Sequence, residues 1–135
     1  GAFVGVEHQS DQATLTQAVL EGVSFAIRDN LEALRSAGTQ LQSVVAVGGG
    51  SRSKFWLQTL ANILNLPVEL PKDGDFGAAF GAARLAQLAA SGANPTELLT
   101  TPAVDAVFEP QHQAAYEDAY QHYTRIYPAI KDLAL

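Results

Sequence analysis

"VVAVGGGSRSKFWLQTLANIL", residues 44–64, decides the fold: an unbroken run from Val44 to Val47 stops at Gly48, Gly49 and Gly50, and a helical apolar pattern follows. A run without polar alternation reads as a strand buried on both faces of a parallel-type sheet. Val44–Val47 is therefore expected to be a central strand. Past the glycines, Trp56, Leu57, Leu60, Ala61, Ile63 and Leu64 share a helical face, with Ser51 or Ser53 to cap its start and Asn65 before Leu66-Pro67 to stop it. A strand, a glycine turn and a helix in succession aim backbone N–H groups and a helix N-terminus outward, toward a phosphate or a flat polar ligand.

Working outward, "PVEL" (67–70) reads as a second short strand, and the opening "AFVGV" (2–6) as a strand or the end of one. Between them, Gln12 to Ala37 predicts a long helix with one buried stripe of Leu15, Val19, Val23, Ile27, Leu31 and Leu34. Ser10 or Asp11 is placed to cap it and Gly38 to end it, while Gly22 inside it suggests a close packing contact. "PKDGD" (71–75) is a turn, and Asp75 can cap a helix from Phe76 to Gly92. One side of that helix is all small, Gly77, Ala78, Gly81 and Ala82, suited to tight packing or to a flat ligand. Asn94, Pro95 and Glu97 form a capping-box pattern for a short helix. "TTPAVDAVFEP" (100–110) reads as extended and irregular. A last helix over 111–133 puts Tyr116, Tyr120, Tyr123, Tyr127 and Ile130 on a packing stripe, and Pro128 should kink or end it near its last turn.

At 135 residues, 47% apolar and 16% charged, the chain has the composition of one folded globular domain, and its order of expected elements reads as α/β, a few strands packed with several helices. A net charge of −6 with only eight Lys plus Arg argues against nucleic acid or an anionic membrane surface as partner. The absence of cysteine excludes disulfides and thiolate metal sites and fits a reducing compartment, so a cytoplasmic location is expected. The most apolar helical run, Phe76 to Ala90, carries Arg84 and falls short of the ~20 residues a membrane span needs. With no methionine, even at position 1, the chain is expected to be a piece of a longer protein.

Motif by motif, the glycine turn excludes some ligands and leaves others open. A P-loop needs Gly before the lysine and Ser or Thr after it, whereas Lys54 stands between Ser53 and Phe55. A dinucleotide fingerprint needs a third spaced glycine where Ser53 stands, although Glu69 lies near the position of the ribose-binding acid. Gly49-Gly50-Ser51-Arg52-Ser53 is one residue from a nucleophile elbow, and His112 and His122 follow Asp73 and Asp75 in hydrolase order, so Ser51 is a candidate nucleophile of a serine hydrolase. A turn that only connects strand to helix stays open too.

Several spaced elements together are more specific. The Gly48–Ser53 turn, Trp56-x-Gln58-x-x-Ala61-Asn62, Pro67-Val68 and the Gly-Ala helix from Gly77 to Ala86 resemble, in order, the adenosine-binding segment of the FGGY family of carbohydrate kinases. Upstream, "GAFVGV" (1–6) and "LEGVSFA" (20–26) resemble the segment that precedes it, and the nearest likeness is to members that phosphorylate D-xylulose. The resemblance implies a fragment of the ribonuclease-H-like, actin-like ATPase fold. It makes the chain the C-terminal part of the family's second lobe, with an adenosine-binding segment over about 44–90 and a C-terminal helix over about 111–134. It implies that adenine and ribose lie against the backbone because a side chain at Gly49 or Gly50 would collide with them. Gly48, Gly49, Gly50, Ser51, Ser53 and Lys54 are thus the implied nucleotide contacts. ATP, ADP, Mg²⁺ and a sugar are the implied ligands, the metal and sugar held mainly by the rest of the parent, which is compatible with a homodimer. None of Asp11, Asp29, Asp73, Asp75, Asp105, Asp118 or Asp132 falls in a matching motif, so no catalytic residue is assigned and the isolated chain is expected to be inactive. The competing class is a non-catalytic actin-like scaffold.

Overall fold

The computed structural model describes residues 1–72, 74 and 77–133. Among them the order is α1 (Gln12–Ser36), β1 (Val44–Val45), α2 (Lys54–Leu64), β2 (Val68–Pro71), α3 (Gly77–Ser91), α4 (Pro95–Leu98), β3 (Val104–Phe108) and α5 (Gln113–Ile130). Local chemistry sets most boundaries. Asp11 Oδ1 accepts from Thr14 N at 2.8 Å to start α1, and a Schellman pair, Gly38 N to Arg35 O and Thr39 N to Leu34 O, closes it. Ser53 Oγ accepts from Trp56 N to start α2, and Asn65 ends it in the left-handed conformation, φ 51°. Asn94 caps α4 through Thr96 N and Thr96 Oγ1, while the Glu97 N–H goes to the Asn94 main-chain oxygen. α5 ends at Ile130, two residues past Pro128.

α2 is the centre of the molecule. Leu57, Ala61, Ile63 and Leu64 are buried, and each side of the helix serves a different neighbour. Leu57 and Ala61 pack with Val68 against the sheet, Leu64 with Leu31 of α1 and Leu66, and Ile63 with Phe25 of α1 and Tyr120 of α5. A helix apolar on all sides is a buried one. Leucine or isoleucine burial at about 1.5–3 kcal/mol a side chain makes these contacts the main hold on the fold.

The sheet order is β1-β2-β3, with β1 parallel to β2 (Val44 opposite Val68) and β3 antiparallel to it (Val68 opposite Phe108). Parallel pairing agrees with the apolar run, but β2 is the central strand and β1 an edge. Val45 and Val47 are 58% and 57% exposed, since no described strand covers the outer edge of β1. The first residues form no strand and lie unpaired with the sheet, and Phe3, Val4 and Val6 are exposed. Conversely, the stretch read as irregular contains β3, whose Ala106 and Phe108 turn inward while their neighbours stay exposed. Flanking Pro102 and Pro110 hide this short alternation.

Of the stripe expected on α1, Leu31 is buried and Leu15 half-buried, beside Ser24 and Phe25, which lie outside it. Ser24, Phe25 and Leu31 face α2 and α5, whereas Val19, Val23, Ile27 and Leu34 are exposed. The rest of the stripe lies uncovered, as do Val45 of β1 and Val47 just beyond it. Gly22 has no described atom within 4 Å of the place a Cβ would take, so no close contact explains it. In α3 no residue is buried; Ala78, Gly81 and Ala82 are exposed, and only Gly77 packs closely. The expected cap Asp75 and first residue Phe76 lie outside the described residues.

α5 docks through its tyrosines. Tyr120 and Tyr123 rings lie 5.9 and 5.3 Å from the Phe25 ring, while Tyr127, outside this cluster, is 73% exposed. Tyr120 Oη donates to Asp29 Oδ1 at 2.7 Å. The Arg28 guanidinium lies over the Tyr120 ring, 4.0 Å from its centroid, and pairs with Glu117 at 2.5 Å. Burial, and next the bond to Asp29, push the Tyr120 hydroxyl up to about 12. Because ionisation is disfavoured in the folded state, this stabilisation is full below the ordinary tyrosine value of about 10 and is lost as pH rises through 12. Urea unfolding from pH 9 to 12 should show stability falling with pH, and Tyr120→Phe should flatten that fall; an identical slope in the variant would contradict the assignment.

Candidate functional site

The ladder of β1 ends where Ala46 N donates to Glu69 O at 2.9 Å. The chain then turns at Gly48, φ +87° and ψ −178°, a backbone region essentially closed to other residues. Gly48 N donates to Gly74 O at 2.9 Å, tying the exit of β1 to the loop after β2. Gly49 to Arg52 form one 3₁₀ turn, in which Ser51 donates to Gly48 O twice, from N at 3.0 Å and from Oγ at 2.7 Å. Ser53 N donates to Gly50 O, and its hydroxyl then caps α2. The exposed residues of this turn are Gly49, Gly50 and Arg52, followed by Ser53 and Lys54 at the start of α2.

Two adjacent glycines are glycine for different reasons. A Cβ on Gly50 would sit 2.4 Å from Cζ3 of Trp56, so the indole lies directly beneath it. A Cβ on Gly49 would meet nothing within 4 Å. Gly50 is thus required by the protein's own packing, whereas the space at Gly49 is open. The indole is held from its other side: Trp56 Nε1 donates to Ser24 Oγ at 3.0 Å, and Ser24 Oγ donates to Leu20 O at 2.7 Å. The start of α3 closes one flank, where a Cβ on Gly77 would lie 3.4 Å from Gly48 N and 3.6 Å from Val47 Cβ. Further along, Arg84 binds Leu98 O and Thr100 O and ties α3 to the end of α4.

Ser51, expected at the ligand face, is buried and turned inward onto Gly48 O. That also removes the nucleophile elbow, since the hydroxyl proton already goes to a carbonyl. His122 Nδ1 engages Asp118 O on its own helix at 2.8 Å, and Asp73 and Asp75 lie outside the described residues. The remaining motif residues are structural. Gln58 Nε2 donates to Glu109 O at 2.8 Å and to Asn62 Oδ1 at 3.0 Å, and Asn62 Oδ1 accepts from Gln111 N at 2.9 Å. Together they pin the lead-in to α5. Sequence reasoning missed the contact of Ser24 with Trp56, for which the only signal was a serine set beside Phe25 in an apolar stretch of helix. Among the described residues there is no group of three or more His, Cys, Asp or Glu that could hold a metal ion.

The matches to known proteins agree with this geometry. The C-terminal domain model of the FGGY family of carbohydrate kinases matches residues 1–90, and the chain belongs to that family. Within the family, it is 38% identical to the xylulose kinase of Escherichia coli (strain K12), over 98% of this chain and 28% of that protein. Among solved structures it superposes on a xyloylose kinase from Brucella ovis with a TM-score of 0.85 at 56% identity, covering 98% of this chain and 28% of that one. A ligand-bound xylulose kinase from Lactobacillus acidophilus follows at 0.79 and 26% identity, covering 96% and 27%. The fold is accordingly that part of the actin-like ATPase architecture found in these sugar kinases, and the chain spans about 28% of the length of the relatives it matches.

Because Gly48 holds a conformation that side chains reject, Gly48→Ala should lower stability by about 1–3 kcal/mol. Thermal unfolding checks this; an unchanged midpoint would mean that the turn relaxes without strain.

Proposed function

We propose that this chain is the adenosine-binding portion of an ATP-dependent cytoplasmic sugar kinase, a xylulokinase that converts ATP and D-xylulose to ADP and D-xylulose 5-phosphate. The observation that carries the reading is the open, exposed backbone at Gly49, at the end of a parallel strand and beside the start of two helices. Open α/β sheets bind ligands at such carboxyl ends of strands. Adenine and ribose would lie flat on Gly49 and Gly50, with Ser53 and Lys54 at the rim. Gly48 and Ser51 hold the turn's shape from within through the Ser51 bonds to Gly48 O. The names of the relatives, which are xylulose kinases, support phosphoryl transfer and the sugar.

In this reading the phosphates point away from the turn into the remainder of the parent. That remainder supplies the phosphate loops, the base that takes the sugar hydroxyl proton, and the Mg²⁺ that neutralises charge on the transferred group. An uncovered apolar side supports such a remainder. Ile27, Val45 and Val47 line a cleft of about 270 Å³ that also touches Gly50 and Trp56.

The test uses the full-length protein and the variant Gly49→Trp, whose Cβ meets nothing within 4 Å and whose ring would fill the proposed floor. Wild type should phosphorylate D-xylulose with ATP, and the variant should raise KM for ATP at least about tenfold with an unchanged melting temperature. Unaltered ATP dependence in the variant would remove the site. A wild-type protein without ATP-dependent phosphorylation would return the scaffold reading.

A further inference from the structure

We infer that Ser24 is a positioning residue for the nucleotide: through its hydrogen bond to Trp56 Nε1 it fixes the indole beneath Gly50 and so sets where the glycine turn stands. The inference rests on the nucleotide-binding reading of that turn and names a residue of α1, 25 positions upstream of Gly49, as part of its support.

Ser24 is completely buried, a polar side chain in an apolar helix interface. Its hydroxyl makes both bonds open to it here. The proton goes to Leu20 O at 2.7 Å, which fixes the rotamer and leaves the oxygen's lone pairs for the indole N–H at 3.0 Å. Indole has a single donor and no acceptor, so this bond fixes which edge of the ring faces α1. The opposite edge of the ring lies against Gly50, with Cζ3 only 2.4 Å from the place a Cβ would take. The relay therefore runs from Leu20 O through Ser24 Oγ and the rigid indole to the backbone of the turn. The turn's internal bonds, Ser51 to Gly48 O and Ser53 N to Gly50 O, do not involve Trp56. They preserve its shape, whereas the indole sets its height relative to α1. Removing the hydroxyl leaves the indole N–H without its acceptor, and a ring that turns to find another withdraws support from Gly50. A shift of that kind weakens binding of a ligand lying on the turn without touching the reacting atoms.

In the full-length protein, Ser24→Ala should raise KM for ATP about fivefold to tenfold, with kcat changed less than about twofold and KM for the sugar unmoved. In a Trp56→Phe background, which has no indole N–H, adding Ser24→Ala should change KM for ATP no further. A role confined to stability would lower the melting temperature and leave KM for ATP where it was. That result overturns the inference, as does an equal rise in KM on adding Ser24→Ala to Trp56→Phe. Should Ser24→Ala fail to fold, Trp56→Phe alone decides: a raised KM for ATP supports the relay, and an unchanged one overturns it. A wild-type protein with no saturable dependence on ATP overturns the kinase reading and this inference with it, whereas normal ATP dependence untouched by Ser24→Ala overturns this inference alone.

Discussion

The indole of Trp56 is held from two sides, by a hydrogen bond from below and by a glycine that leaves it no spare room above. Its place follows from α2, whose first turn it occupies and whose Leu57, Ala61, Ile63 and Leu64 bury against the sheet, α1 and α5. Magnitudes separate the two jobs. Four buried apolar side chains outweigh one hydrogen bond with a net worth of about 1 kcal/mol, so apolar packing holds the fold. The hydrogen bond fixes orientation. The same division recurs at α5, where ring packing on Phe25 supplies the attraction and the bond from Tyr120 to Asp29 selects the rotation of the helix.

Features with local causes were legible in the sequence. Ser53 and Asn65 bound α2, Asp11 and Gly38 bound α1, and Asn94 caps α4, because caps and stops act within one turn of chain. The strand, glycine turn and helix of the site were legible for the same reason. Features fixed by distant neighbours were not. Val44–Val47 carries the apolar run of a strand made for two covered faces, yet the strand is only Val44–Val45 and stands at an edge, with no described strand beyond it. α1 has apolar residues around more than one side, and which of them α2 and α5 cover is decided by tertiary packing rather than periodicity. β3 escaped because its short alternation sits between prolines and becomes a strand only on the edge that β2 provides.

At the site, Gly50 and Ser51 have structural causes that the motif did not suggest. Gly50 reads as room for a ligand, and on the side where a Cβ would project the indole of Trp56 already requires a glycine. Ser51 reads as a polar contact, and its hydroxyl closes the turn from inside. Gln58 and Asn62 sit in the helix motif and secure the approach to α5. Much of what makes the segment recognisable thus positions a bare stretch of backbone, with the open space at Gly49 as its outward product.

That backbone as the seat of adenosine is the central claim, and the most direct measurement is a crystal structure of the full-length protein with a non-hydrolysable ATP analogue. The expected result is adenine stacked on the Gly49–Gly50 peptide, with the triphosphate running away from Ser53 into the other part of the protein. Adenine bound elsewhere, with the turn left empty, would contradict it.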